Sequence, residues 1–316
     1  MNAPTRTPFH HEFGAMTTRC ELQFHGVDDA DGAALARRIE ARVAGLVRRY
    51  NFHAPDSWLS VAVNGRRGDR VPLDEEGLAV LRVVREHAVR CAGAFDITVG
   101  TYAEPLARAR TQAEVDAVYR SLASCTGLQA WSLEGDALHL HDPRVRIDLG
   151  GVIKEHAVDV SARMAQAAGV ASGLVNYGGD LRTFGRKPDG SRFVAAVPDP
   201  RPPHRMLFAL DLENQALTTS GHYARRRAVQ GGELSHVRAA DGTRARWASV
   251  SVVSDSTLLS GIYSTALLVD AEVPLPPGAL AVAVDADGRI HHFESRFGAA
   301  STYPEGTAPC PTSAAP

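Results

Sequence analysis

Residues 173–184 read Gly-Leu-Val-Asn-Tyr-Gly-Gly-Asp-Leu-Arg-Thr-Phe, and this stretch decides the fold class. Gly173 to Tyr177 is a short apolar run with strand character. The turn Asn176-Tyr-Gly-Gly-Asp180 follows, where paired glycines accept backbone angles that other residues resist. A second strand-like run, Leu181 to Phe184, begins with no room for a helix in between, so the unit is a hairpin. Working outward, Phe193 to Val197, Met206 to Leu212 and Trp247 to Val253 also have strand character. Ala279 to Asp285 and Arg289 to Phe293 form a hairpin around Asp287-Gly288, and Met16 to His25 is a strand closed by Gly26. Two strand-like runs lie between Leu128 and Leu149, divided at Gly135-Asp136 and at His141-Asp-Pro143.

Helices are interspersed rather than alternating. Leu35, Ile39, Val43, Leu46, Val47 and Tyr50 recur at helical spacing, with Arg37, Arg38, Arg42, Arg48 and Arg49 on the other faces. A second helix runs from an Asp74 cap to Cys91, and Gly93 stops it. Thr111 to Glu114 is a capping box opening a short helix. Further helices span Val152 to Gly169 and Ser256 to Leu268. Hairpins mixed with isolated helices exclude a regular βαβ alternation and predict an α+β fold of antiparallel sheets with packed helices. The Pro-rich run Pro198 to Pro203 is expected to be a surface loop.

Composition narrows the functional classes. The chain has 316 residues, enough to bury a core without staples. Lys+Arg 34 against Asp+Glu 36 and only 6% aromatic residues give neither the basic field nor the stacking surface of a nucleic-acid binder. No apolar run is long enough to span a membrane, and the polar N-terminus lacks a signal-peptide core. Cys20, Cys91, Cys125 and Cys310 are scattered, which predicts free thiols and a cytoplasmic protein. Residues 1–12 and the Pro/Ala/Ser/Thr-rich tail 299–316 are expected to be disordered, flanking one bilobed domain over 13–298.

Several segments carry chemistry. Gly93-Ala-Phe-Asp-Ile-Thr-Val-Gly100 follows a helix end, and its glycines let the backbone approach a ligand while Asp96 and Thr98 offer polar groups. Asp148-Leu-Gly-Gly-Val152 ends a strand and opens a helix, where freed N–H groups suit a phosphate. Lys154 opposes the helix dipole in that first turn, which points to an anionic ligand. Thr218-Thr-Ser-Gly-His-Tyr223 is read as a hydroxyl-rich turn, with Ser235-His236 and Arg238 beyond it.

Taken in order, these segments resemble the FAD:protein FMN transferase family (ApbE-type flavin transferases) from about Phe13 to Leu268. The matching runs are Met16-Thr-Thr18, Ser57 to Asn64, Gly93 to Gly100, Asp148 to Lys154 with Ala157-Val-Asp159, Asn176 to Asp180, Thr218 to Tyr223, Ser235-His236 and Ser264-Thr-Ala266. The resemblance implies a T-fold-like flavin transferase architecture binding FAD as substrate and using Mg²⁺. In that chemistry a Thr hydroxyl of an acceptor flavoprotein takes the FMN moiety and AMP leaves. It further implies that Met16, Ala94, Phe95 and Asp96 line the flavin or adenine pocket, and that Asp148, Lys154 and Arg238 contact the nucleotide. Thr219 and Ser220 would also bind the cofactor, His236 would act as acid/base or orient phosphate, and Gly151, Ser264 and Thr265 would hold the metal. Relatives that hydrolyse FAD with water, or that only bind flavin, are the alternatives. No nucleic-acid or membrane partner is implied.

The chain departs from the family pattern at defined positions. The last-helix Ala-Asp-Ala-x-x-Thr-Ala reads Ser260-Gly-Ile-Tyr-Ser-Thr-Ala266, so Gly261 stands where the metal-binding Asp is usual. Glu155 stands where the fourth helix normally has a glycine, and Thr17 replaces the glycine of Met-Gly-Thr. The Asp-Pro run after His236 is missing. Loss of a carboxylate should weaken a hard cation, and Asp255 lies on the wrong side of the helix to replace it.

Overall fold

The computed structural model describes residues 7–201, 205–221, 226–230, 232–235 and 246–294. In chain order the first half holds β1 (Phe9–Ala15), β2 (Thr18–His25), α1 (Asp29–Tyr50), β3 (Arg70–Pro72), α2 (Glu75–Arg90), α3 (Gly100–Arg108), α4 (Gln112–Leu122), β4 (Trp131–Glu134) and β5 (Ala137–Leu140). The second half holds α5 (Gly150–Ala167), β6 (Ser172–Tyr177), β7 (Asp180–Phe184), β8 (Phe193–Pro198), β9 (Met206–Leu212), β10 (Ala216–Gly221), β11 (Arg226–Val229), β12 (Gly232–Ser235), β13 (Trp247–Ser254), α6 (Thr257–Val269), β14 (Leu280–Asp285) and β15 (Ile290–Glu294).

The hairpin at 173–184 is β6–β7, paired from Gly173↔Phe184 to Tyr177↔Asp180. It lies within an antiparallel sheet ordered β1-β2-β6-β7-β10-β13-β14-β15. α1, α5 and α6 pack side by side on that sheet, α1 against β1, α5 against β6 and β7, and α6 against β10 and β13. A three-stranded sheet, β3-β5-β4, packs with α2 into the same core, where Trp131, Leu138 and Val84 are buried beside Leu22, Phe24 and Val158. The capping signals behave as read: Asp74 accepts from Gly77 N at 2.9 Å, and Thr111 and Glu114 form the complete capping box.

Three expectations are corrected. The fold begins at Phe9, inside the stretch expected to be disordered, because β1 pairs with β2 from Phe9↔Phe24 to Ala15↔Thr18. Phe9, His11 and Phe13 share one face, and Phe13 meets Tyr177 edge-on at 5.7 Å between ring centres. The histidines between the phenylalanines hid that alternation. The TTSGHY run is not a turn up to Gly221: it is β10, an inner strand paired with both β7 and β13. Its hydroxyls find partners across the sheet, as Thr219 Oγ1 does with Ser251 Oγ at 2.8 Å, so polarity did not exclude a strand. The run after Pro143 joins no strand. The Asn64 side chain instead pairs with Ile147, donating to its carbonyl at 2.9 Å and accepting from its N–H at 2.8 Å, as a neighbouring strand would. Residues 1–6 and the tail expected to be disordered lie outside the described residues.

The β1–β2 turn explains one departure. Met16 and Thr17 have φ of +50° and +59°, the left-handed pair of a two-residue hairpin. A β-branched residue is strained there, by about 1–2 kcal/mol, while glycine would raise the unfolded chain's entropy by about half that. Thr17→Gly is therefore expected to raise stability by about 0.5–1 kcal/mol, read as a higher denaturant midpoint at unchanged m.

Candidate active site

The loop after α2 is built by its own residues. Gly93, at φ +85°, ends the helix by donating its N–H to Ala88 O at 2.9 Å. Asp96 then caps the next turn: Oδ1 accepts from Thr98 N at 2.8 Å, and Oδ2 accepts from Gly127 N at 3.1 Å. The Thr98 hydroxyl reaches both oxygens, at 2.6 and 2.8 Å. Burial pushes the Asp96 carboxyl above its ordinary range, against the pull of these hydrogen bonds. Both its oxygens are thus engaged in holding the loop. Gly100 has no room for a side chain, since a Cβ would lie 2.9 Å from both the Arg146 carbonyl oxygen and the Phe52 ring.

That loop is stitched to the start of α5. Asp148 N donates to Ile97 O at 2.8 Å, and Asp148 Oδ1 accepts from Gly150 N at 2.8 Å. The Phe95 ring edge would lie 3.9 Å from a Cβ at Gly151, so Phe95 and the opening of α5 share one wall, while Ala94 packs against the main core. At Gly151 the helix is irregular, with φ −90° and ψ 17°.

A second wall comes from two hairpin turns. A Cβ at Gly178 would run into Thr18 Oγ1, and Gly178 N donates to Arg19 O at 3.0 Å, so the Asn176–Asp180 turn sits against the Met16–Thr17 turn. Met16 is half-buried against the main core. Lys154 of α5 ion-pairs with Asp180, which is buried at the start of β7, and its Nζ lies 3.5 Å from Glu155 Oε1. A lysine in a first helical turn, which the dipole disfavours, is thus held by a buried carboxylate on the sheet.

The floor is the α5–α6 contact. Asp159 gathers the N-terminus of α6: Oδ1 accepts from Thr257 N at 2.9 Å, and Oδ2 from Leu258 N and the Ser256 hydroxyl, both at 3.1 Å. Arg182 Nη1 donates to Oδ1 at 2.8 Å from β7. One turn earlier on α5 and one turn later on α6, Glu155 meets Gly261, where a Cβ would lie 2.7 Å from Glu155 Cγ. The two helices therefore run antiparallel here.

Of the residues named from sequence, Phe95 and Gly151 come together, and so do Ser220, Ser264 and Thr265. Ser220 Oγ is 2.8 Å from Ser264 Oγ and 3.2 Å from Thr265 Oγ1. Ser264 Oγ also donates to Gly261 O at 3.1 Å. Thr219 is not brought into that group, because strand alternation turns its hydroxyl to the other face, onto Ser251. His236 and Arg238 lie outside the described residues. Sequence reasoning missed Asp159 and Asn64 as positioning residues, although both lie in runs that matched the family. It also missed Asp180 as the partner of Lys154, since nothing local links a strand start to a helix.

A hard cation needs oxygen donors. Among the described residues no group of three or more His, Cys, Asp or Glu side chains converges. With Asp159 engaged by the N-terminus of α6, the α5–α6 contact offers instead the Glu155 carboxylate, hydroxyls of α6 and main-chain carbonyls. Glu155 is 5% exposed, and its Oε2 is buried with no hydrogen-bond partner. Such an orphaned oxygen is costly unless something satisfies it, so this donor set fits Mg²⁺. Among the described residues no helix is long and apolar enough to cross a membrane.

Comparison with known proteins bears on the family and the fold. A profile of the ApbE family matches residues 16–273. A Rhodobacter capsulatus protein named FAD:protein FMN transferase is 30% identical over 93% of this chain, which spans 57% of that relative's length. The Escherichia coli K12 protein of the same name is 24% identical over 80% of this chain and 76% of its own. Among solved structures, the ApbE protein from Thermotoga maritima superposes with a TM-score of 0.80 at 23% identity, covering 92% of this chain and 97% of that one. The flavin transferase ApbE from Vibrio cholerae gives 0.74 at 22% identity, covering 93% and 98%.

Proposed function

The chain belongs to the ApbE family, and from that premise we propose that it is an FAD:protein FMN transferase, moving the FMN moiety of FAD to a Thr hydroxyl of an acceptor protein. The hydroxyl oxygen bonds to the phosphorus of the FMN half, the pyrophosphate P–O bond breaks, AMP leaves, and the hydroxyl proton is released. The observation that carries this reading is the convergence on the first turns of α5 of the 93–100 loop, Lys154 and the hydroxyl-bearing face of α6.

Each part has a task in that reaction. The glycine-stopped loop with Ala94 and Phe95 supplies an apolar wall for a planar ring, and Met16 closes it from the neighbouring hairpin. Backbone N–H groups at the opening of α5 and the Lys154 ammonium meet the diphosphate, whose charge both favour. Asp96 and Asp148 keep those loops in place through their own hydrogen bonds. Mg²⁺, when bound, would neutralise charge on the pyrophosphate oxygens, and the Gly151 carbonyl with the Ser264 and Thr265 hydroxyls belongs to the oxygen set that would hold it. We place the protein in the cytoplasm, a reading supported by Cys20, Cys91 and Cys125 all being free and buried.

The test incubates the protein with FAD, Mg²⁺ and a peptide carrying Asp-x-x-Thr-Gly-Ala-Thr, and follows AMP and peptide mass. AMP together with a peptide heavier by one FMN is expected, and Thr265→Ala should cut AMP release at least about tenfold. AMP without labelled peptide would replace this reading with FAD hydrolysis. FAD bound but uncleaved would leave a flavin-binding protein.

A further inference from the structure

The two departures that seem to spoil the metal site touch each other. Glu155 stands on α5 where a glycine was expected, and Gly261 stands on α6 where an aspartate was expected. The Glu155 side chain lies in the space that a residue-261 side chain would leave by, with Cγ 2.7 Å, Cδ 3.2 Å and Oε1 3.5 Å from a Cβ built at 261. An aspartate at 261 would carry its carboxylate outward from that same Cβ. The Glu155 side chain thus fills room that a side chain at 261 would need.

We infer that Glu155 supplies, from the opposite helix, the metal-binding carboxylate that position 261 has lost. The inference rests on the flavin-transferase reading for the identity of the metal, but its geometry is this chain's own. Glu155 is buried on every side, so its charge is tolerated only if partnered. Its Oε1 forms a 3.5 Å ion pair with Lys154 Nζ, an ammonium shared with Asp180. Oε2 has no partner at all among the described residues. The hydroxyls of Ser264 and Thr265 follow within about one turn of Gly261 on α6, and the irregular Gly151 lies one turn before Glu155 on α5. A divalent cation between the helices would satisfy the orphaned oxygen and use the neutral donors beside it. The ion pair with Lys154 anchors one oxygen of the carboxylate and leaves the other for a cation.

The experiment titrates Mn²⁺ into the full chain, with and without FAD, and reads free Mn²⁺ by electron paramagnetic resonance. Three forms are compared: the parent, Glu155→Gln, and the exchanged pair Glu155→Gly with Gly261→Asp. Thermal unfolding and FAD binding without metal report whether each variant is folded. The parent should bind one Mn²⁺. Glu155→Gln, which keeps the shape and loses the charge, should weaken Mn²⁺ at least about tenfold while still binding FAD. The exchanged pair should recover most of that loss. Equal Mn²⁺ affinity in the parent and Glu155→Gln would overturn the inference, as would a parent that binds no Mn²⁺, or an exchanged pair that folds and binds FAD but remains as weak as Glu155→Gln. AMP release from FAD separates this from the functional reading. Metal binding that depends on Glu155 without any AMP keeps the inference and removes the transferase. AMP release with Mn²⁺ binding indifferent to Glu155 does the reverse.

Discussion

Asp159→Ala is expected to destabilise the protein by about 3–5 kcal/mol, the range for removing one partner of a buried, hydrogen-bonded charge pair. Asp159 is 3% exposed and accepts from four donors: Arg182 Nη1, Thr257 N, Leu258 N and the Ser256 hydroxyl. Thr257 and Leu258 are themselves buried at the N-terminus of α6, where backbone N–H groups have no partner within the helix. Truncation would leave those groups unpaired and strand the Arg182 guanidinium, and it would remove a negative charge from the positive end of the helix. Asp159→Asn should cost nearly as much, because its amide group must point an N–H at donors. Denaturant unfolding gives the number, and hydrogen exchange at Thr257 and Leu258 gives the mechanism. A loss below 1 kcal/mol would show that water replaces the carboxylate. Because Asp159 also sets where α6 lies on α5, metal affinity should fall in the variants even though neither touches the cation donors.

Lys154→Met is expected to cost about 2–4 kcal/mol and to weaken FAD binding, and a second substitution should separate the two losses. Lys154 is partly exposed, whereas its partner Asp180 is 2% exposed. Removing the ammonium leaves the Asp180 carboxylate buried without a countercharge beside Glu155, which is the larger penalty. Adding Asp180→Asn should recover more than half of the stability, since the group left behind is then neutral and nearly the same shape. FAD affinity should not recover, because the diphosphate still lacks its cation. If affinity returned together with stability, Lys154 would be a structural residue only.

The helices and hairpins were legible because their signals are local. The apolar spacing of α1, the Asp74 cap and the Gly178-Gly179 turn each state their structure within one or two turns of chain. β1 was missed because His10 and His11 interrupt its apolar alternation, and β10 because its hydroxyls resemble those of a loop. The site was legible as separate runs, since glycines at 93, 100 and 178 mark places where backbone must turn or approach closely. Its assembly was not. The pairings Asp159 with α6, Lys154 with Asp180 and Glu155 with Gly261 join residues on different elements, and no period or spacing encodes which helix face meets which. Gly261 read alone looked like a loss, since a sequence gives no sign of what fills the room a missing side chain leaves.

The closeness of Glu155 to Gly261 also constrains how such a chain could arise. With the helices packed as they are, an aspartate at 261 would begin 2.7 Å from Glu155 Cγ, so the Glu155 side chain would have to leave its present place to admit it. An ancestor carrying the aspartate could take on the glutamate only in a different rotamer or with α6 shifted. The route free of that clash passes through a form with glycine at both positions, without either carboxylate. Gly261 is therefore compatible with either residue at 155, whereas Glu155 in its present place depends on Gly261, a one-way epistasis across a helix interface. Scoring the two positions independently would miss that the side chain at one fills the room left at the other.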